Sequence, residues 1–227
     1  MCPTAGRSPA TTLRTTTRFV DREQAGRELA GALAGHIRQD RPLVLALPPG
    51  GVPVAAEVAS ATGGDLDIVV TREIGAPGQP EFVLGALAED GAPVLDRPTL
   101  ADLGVTEADL AGAIRRERVE IDRHARRYRD GRPAPAVEGR EVIVVDDGLV
   151  TGVTARAALR WLREHRPLRV VLAVPTCSDQ AERDLAGEAD ELVSLHSPPY
   201  FYTVGQAYAD FRQVSDDEVI RLLRTHR

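Results

Sequence analysis

Val142-Ile143-Val144-Val145-Asp146-Asp147-Gly148-Leu149-Val150-Thr151-Gly152-Val153-Thr154 is the stretch on which the fold turns. Four consecutive apolar residues leave no polar face. Such a strand must be covered on both sides, as in a parallel sheet flanked by helices. The run stops at two adjacent carboxylates. A loop of small and hydroxyl residues follows, and Val153–Glu164 then takes up a helical pattern. Strand, short loop and helix make half of a βαβ unit.

Working outward, the same alternation recurs. Ala25, Leu29, Leu33 and Ile37 share a helical period. Leu43–Leu47 is a short apolar run ended by Pro48-Pro49-Gly50-Gly51, which reads as a buried strand and a tight turn. An Ala-rich helix at Val52–Ala61 and a strand at Leu66–Val70 follow. Thr71–Pro80 reads as a loop, Phe82–Leu87 and Pro93–Leu95 as a hairpin around Glu89-Asp90-Gly91, and Thr106 with Asp109 as a helix cap. The helix after that cap runs to about Asp130, and Gly131–Gly139 is a linker. Val170–Val174, Ser178–Gly187 and Glu191–Ser194 read as strand, helix and strand. The fold class is therefore α/β, a parallel sheet flanked by helices. Ligands of such sheets bind beyond the carboxyl ends of the strands. The loops at 48–51, 71–80 and 146–154 are expected on one rim. Residues 1–17, rich in Thr, Pro, Ala and Arg without a period, read as a disordered tail. Residues 18–227 read as a single domain with a small C-terminal lobe, or hood, formed mainly by 196–227.

Composition removes several chemistries. The 28 basic residues are all arginine, so a P-loop, which needs Lys on the phosphates, and Schiff-base catalysis are excluded on residue type. Cys2 and Cys177 make neither a disulfide framework nor a zinc site. The five histidines show no metal spacing, and the G-x-S-x-G elbow of a serine hydrolase is absent. A net charge of −6 argues against nucleic acid as a partner. No apolar run reaches the roughly 20 residues of a membrane helix, and the N-terminus lacks the apolar stretch of a signal peptide. A cytoplasmic protein is expected.

The chemistry of the 142–154 segment points to a sugar phosphate. A helix start offers free N–H groups and the positive end of the dipole to a phosphate. Thr151 and Thr154 add hydroxyls, and Gly152 permits close backbone approach. Asp146 and Asp147 would repel phosphate but accept hydrogen bonds from neighbouring sugar hydroxyls. Other readings remain open. A metal-binding Asp pair and a solvated loop with a helix cap both suit these residues. A receiver domain also pairs acids after an apolar strand, but it places them near its start and uses a Lys, which this chain lacks.

The segment closely resembles the 5-phosphoribosyl-1-pyrophosphate (PRPP) motif of type I phosphoribosyltransferases. Both have four apolar residues, two acids and a loop ending Thr-Gly-x-Thr. The resemblance implies that Asp146 and Asp147 are catalytic and hold the 2- and 3-hydroxyls of the ribose. It implies that Val150, Thr151, Gly152, Val153 and Thr154 cradle the 5-phosphate. It places Pro49, Gly50 and Gly51 on the pyrophosphate through backbone groups and Arg72 beside it. Gly75–Leu87 would then belong to a covering loop and hairpin. No protein metal ligands are implied, since Mg2+ would be held mainly through PRPP. The 6-oxopurine subgroup has an Asp base where this chain has Val150, which sets that subgroup aside. Gly205-Gln206-x-Tyr208-x-Asp210-Phe211 resembles the end of a branch of predicted phosphoribosyltransferases without an assigned substrate. In that branch an Arg precedes the paired glycines where this chain has Pro49, and a basic residue is usual where it has Glu73. Both differences remove positive charge from the expected pyrophosphate site.

The expected function is transfer of the 5-phosphoribosyl group of PRPP to a small-molecule acceptor with release of pyrophosphate, by a homodimer. The alternatives are a non-catalytic PRPP or nucleotide sensor and a phosphoribosyl hydrolase or phosphorylase. Arginines between 115 and 129 alternate with Glu117, Glu120 and Asp122. That pattern favours a salt-bridged, solvent-facing helix over a nucleic-acid surface. Tyr200, Phe201 and Tyr202 suit either stacking on a base or packing inside the small lobe.

Overall fold

A strand without a polar face needs helices above and below it, and the computed structural model supplies them. It describes residues 11–12 and 18–226. In chain order the elements are β1 (Thr11–Thr12), α1 (Arg22–Leu33), β2 (Leu43–Ala46), α2 (Gly51–Thr62), β3 (Asp65–Ile68), β4 (Thr71–Ala76), β5 (Gln79–Ala88) and β6 (Val94–Leu95). Then come α3 (Arg97–Leu103), α4 (Glu107–Tyr128), β7 (Glu141–Val145), α5 (Val153–Glu164), β8 (Arg169–Thr176), α6 (Asp179–Leu185), β9 (Glu191–His196) and α7 (Asp216–Thr225). The main sheet has the order β1-β9-β8-β7-β2-β3, and every neighbouring pair in it is parallel. The tail expected at 1–17 lies outside the described residues, apart from Thr11–Thr12 beside β9.

The quoted stretch lies near the middle of this sheet. All five residues of β7 are buried. Ile143 and Val145 join the core beneath α1, α2 and α7, while Val142 and Val144 join the core beneath α5 and the small sheet. Burial of each such side chain stabilises the fold by about 1.5–3 kcal/mol relative to exposure. The apolar run is thus consumed equally by two cores, as a parallel strand requires. Ala46 pairs with both Val145 and Ile68, so the loops leaving β2, β3 and β7 begin at one level.

Two elements differ from the sequence-based expectation. Thr71–Pro80 is not a loop. Thr71–Ala76 forms β4, which pairs antiparallel with β5 from Gln79 onward and is interrupted by irregularities at Ile74–Gly75 and Gly75–Ala76. Gly75 permits this, because a Cβ there would lie 2.2 Å from the Pro80 carbonyl oxygen. Gly and Pro punctuation masked a bulged hairpin. In addition, α3 and α7 were not foreseen. Both are short helices with side-chain caps, Asp96 for α3 and Ser215 for α7.

The chain is closed by its two ends. Phe19 is 2% exposed. Its N–H donates to Ala207 O (2.9 Å) and its carbonyl accepts from Ala209 N–H (2.8 Å). The segment after β9 is therefore tied beside α1, and this pairing places Tyr208 and Phe211 over the end of β7.

Candidate functional site

Beyond the carboxyl ends of β2, β3 and β7 lies a cavity of about 1060 Å³. Asp146, Asp147, Pro49, Gly50, Arg72 and Thr154 all line it. These residues come from three segments far apart in the chain, brought together by the common level of the parallel strands. Gly51, Val150, Thr151, Gly152 and Val153 do not reach its lining. Gly51 is buried, and its N–H donates to Leu47 O at 3.0 Å. The Val150 carbonyl accepts from Ser178 Oγ at 2.6 Å, which docks this loop on the segment before α6. Gly152 is the N-cap of α5 with φ +70°. A Cβ there would meet Leu185 Cδ1 at 2.8 Å. Its glycine thus serves the left-handed turn and the packing of α6.

The two carboxylates have unequal surroundings. Asp147 is 8% exposed, and its Oδ2 accepts from Arg22 Nε–H at 2.8 Å. The guanidinium of Arg22 lies 4.0 Å from the Phe211 ring centroid, a cation–π arrangement. Its Nη1 donates to Arg212 O at 2.8 Å. Tyr208 O–H donates to the Asp147 carbonyl at 2.6 Å. Asp147 is thereby held from both of its ends by groups that the C-terminal segment positions. Asp146 forms no ion pair among the described residues. Its Oδ1 accepts from the Asp147 N–H at 2.9 Å.

These differences set the charge states. Burial raises the Asp146 carboxyl well above its ordinary value of 3.8, and the neighbouring Asp147 charge adds to the rise. Burial raises Asp147 as well, while Arg22 opposes it. A group bound more tightly to its proton in the fold than in the unfolded chain costs stability once ionised. That cost is absent below 3.8 and complete above the raised folded value. Asp146→Asn is accordingly expected to unfold at higher temperature than the wild type at about pH 8, with no advantage at about pH 3. The Asn Oδ1 keeps the bond to the Asp147 N–H. Thermal unfolding across this pH range reads the effect, and equal midpoints at every pH would contradict it.

The 48–51 turn is seated directly on the acids. A Cβ at Gly50 would lie 2.3 Å from Asp147 Oδ2, and one at Gly51 would lie 2.7 Å from Val145 O. Only glycine allows α2 to begin so close to the end of β7. Arg72 is in place on β4, but its Nε–H donates to Glu117 Oε2 of α4 at 3.0 Å. Glu73 also lines the cavity. The α4 part of the roof, Asp109, Gly112, Ala113 and Arg116, is not foreseen from the sequence, whereas 211–214 belong to the C-terminal segment expected as a hood. Tyr200, Phe201 and Tyr202 are absent from the lining. Phe201 is 8% exposed and packs inward, whereas Tyr200 and Tyr202 are 81% and 69% exposed.

The family model of the phosphoribosyl transferase domain matches residues 16–198. The chain belongs to the phosphoribosyl transferase domain family. A Mycobacterium tuberculosis protein named "Putative phosphoribosyl transferase Rv0571c" is 44% identical over 210 residues, which are 92% of this chain and 47% of that protein. The chain spans about half the length of this relative. The crystal structure of TT1426 from Thermus thermophilus is 44% identical and superposes with a TM-score of 0.78, covering 91% of this chain and 98% of that one. The parallel sheet with its flanking helices is therefore a type I phosphoribosyltransferase fold, as the 142–154 segment implied.

Arg22 is the site residue that motif reading missed. A signal for it existed. Arg22, Ala25, Gly26, Leu29, Ala30 and Leu33 form the buried stripe of α1, and one arginine in an otherwise apolar stripe asks for a buried acid.

Proposed function

We propose that this domain binds PRPP in the cavity above Asp146 and Asp147 and transfers its phosphoribosyl group to a small-molecule acceptor, releasing pyrophosphate. The observation that carries this reading is the pair of carboxylates at the end of a buried strand. They open onto a cavity large enough for donor and acceptor together, with Thr154 at the start of α5 beside them. Asp146 and Asp147 accept hydrogen bonds from the two ribose hydroxyls. Thr154, at the start of α5 on the cavity wall, lies toward the 5-phosphate. Pro49, Gly50 and Arg72 lie toward the pyrophosphate.

In the reaction the acceptor's lone pair forms a bond to the anomeric carbon, and the bond to the pyrophosphate oxygen breaks with its electrons leaving on that oxygen. Positive charge develops on the ribose, and nearby carboxylates favour it. Mg2+, held through pyrophosphate oxygens and water, supplies neutralisation of the leaving group when bound. Asp146, part-exposed to the cavity and without an ion-pair partner among the described residues, suits the water shell of such a cation. The 71–80 hairpin, 109–117 of α4 and 211–214 exclude water from the site. The working form is a cytoplasmic homodimer built on a single domain from 18 to 227. No helix among the described residues is long and apolar enough to cross a membrane.

A regulatory reading, in which PRPP or a nucleotide is sensed without turnover, draws on Glu73. It adds negative charge to the wall where a diphosphate would lie. Both readings are tested by calorimetric titration of PRPP with Mg2+ into the wild type and into Asp146→Asn/Asp147→Asn. The expected result is binding by the wild type and a loss of about a hundredfold or more in the folded variant. This corresponds to two charged hydrogen-bond acceptors at about 1.5–3 kcal/mol each. Equal binding by both proteins, or none by the wild type, would overturn the assignment. Where binding holds, release of pyrophosphate in the presence of candidate acceptors separates the transferase from the sensor.

A further inference from the structure

Four arginines line the cavity, and three of them are already engaged. Arg22 is paired with Asp147, Arg72 with Glu117 and Arg212 with Glu218 and Glu23. The Arg116 side chain makes no ion pair or hydrogen bond among the described residues. Its acidic neighbours on the same wall are also committed elsewhere. Asp109 accepts from the Thr106 N–H and hydroxyl at 2.8 and 2.6 Å, closing the cap of α4. Glu117 holds Arg72.

The wall is shaped around this side chain. Asp109, Gly112, Ala113 and Arg116 follow the i, i+3, i+4, i+7 spacing of one helix face, and that face looks into the cavity. The Arg116 guanidinium lies back along the helix beside Gly112. A Cβ there would meet nothing closer than Arg116 Nη1 at 3.7 Å. An unpaired guanidinium beside small residues is a planar, multi-donor site for an oxyanion.

We propose that Arg116 is an oxyanion-binding residue of the cavity, a second anchoring point besides Asp146 and Asp147, and that its ligand group is a diphosphate. The proposal rests on the functional reading above and deepens it. The charge that Pro49 and Glu73 do not provide comes instead from α4. A carboxylate on the acceptor has the same chemistry and is the other source of such a group.

The test titrates three probes into wild type, Arg116→Gln and Arg116→Lys. They are Mg2+-pyrophosphate, ribose 5-phosphate, and benzoate in the presence of saturating ribose 5-phosphate. Arg116 is exposed and unpaired, so Arg116→Gln should unfold at the wild-type temperature. Pyrophosphate affinity is expected to fall about tenfold or more in Arg116→Gln and by less in Arg116→Lys, with ribose 5-phosphate unchanged. A selective loss of benzoate instead would keep the oxyanion site and overturn its assignment to the diphosphate. Unchanged affinity for both anions would overturn the proposal, as would equal losses for all three probes. Arg116-dependent pyrophosphate binding by a protein that does not bind PRPP would sustain this inference while the PRPP reading failed.

Discussion

Arg22→Met is expected to lower the stability of the fold by about 3–5 kcal/mol at about pH 8, the usual cost of leaving one partner of a buried ion pair uncompensated. Total stabilities of such domains are about 5–15 kcal/mol, so this is a large fraction. Methionine keeps an apolar stem against Phe211 but gives Asp147 no cation. The side chains of Arg22 and Asp147 are only 8% and 11% exposed, so water cannot take over. The pH dependence identifies the cause. Burial already raises the Asp147 carboxyl, and Arg22 opposes that rise. Without Arg22 the folded value climbs further, and ionisation is what costs stability. The deficit is therefore complete above the raised value and shrinks as pH falls through it. Urea unfolding at about pH 8 and about pH 5 should show the difference. Adding Asp147→Asn should recover most of the loss, since the two residues act as a unit. A deficit under about 1 kcal/mol at both pH values would contradict this account of the pair.

Gly50→Ala is expected to destabilise the fold by about 1–3 kcal/mol, the range for overpacking, and to remove ligand binding with it. Backbone considerations alone predict the opposite. Gly50 sits at φ −64°, ψ −38° at the start of α2, where alanine is ordinarily the better residue. The steric fact outweighs propensity. The new Cβ would lie 2.3 Å from Asp147 Oδ2 and 2.8 Å from its Cγ. That side chain cannot swing away cheaply, because Arg22 holds its Oδ2 and Tyr208 fixes the backbone carbonyl of the same residue. Gly31→Ala, in the interior of α1 with nothing within 4 Å of its Cβ, is the control and should gain up to about 1 kcal/mol. Thermal unfolding of both variants makes the comparison. If Gly50→Ala gained stability as Gly31→Ala does, the 48–51 turn would not be seated on Asp147.

Much of the site's scaffold was legible because it is local. The β7 run, the loop from Asp146 to Gly152 and the α5 pattern need no distant partner to be recognised. The same is true of the Thr106–Asp109 capping box, which appears as read. The bulged hairpin at 71–88 was less legible, because Gly75, Pro77, Gly78 and Pro80 are ordinary loop residues until cross-strand pairing overrides them. The pattern of arginines and acids in α4 predicts a salt-bridged surface. Several of the arginines fit it: Arg123 pairs with Glu120 and Arg127 with Asp216. The cavity face of the same helix was hidden, because Gly112 and Ala113 carry no chemistry of their own.

By itself the sequence determined the alternation of buried strands and helices, the parallel sheet and the position of Asp146 and Asp147 at its rim. These follow from period and apolarity over a few residues, which neighbours along the chain decide. Only the tertiary structure decided how the two carboxylates differ. Arg22 reaches Asp147 across 125 positions, and Phe211 and Tyr208 arrive from the other end of the chain to hold that pair in place. Tertiary packing also kept Tyr200 and Tyr202 out of the cavity and brought Arg116 into it. Charge compensation and steric contact act through space, and no spacing in the sequence encodes which distant side chain will be there.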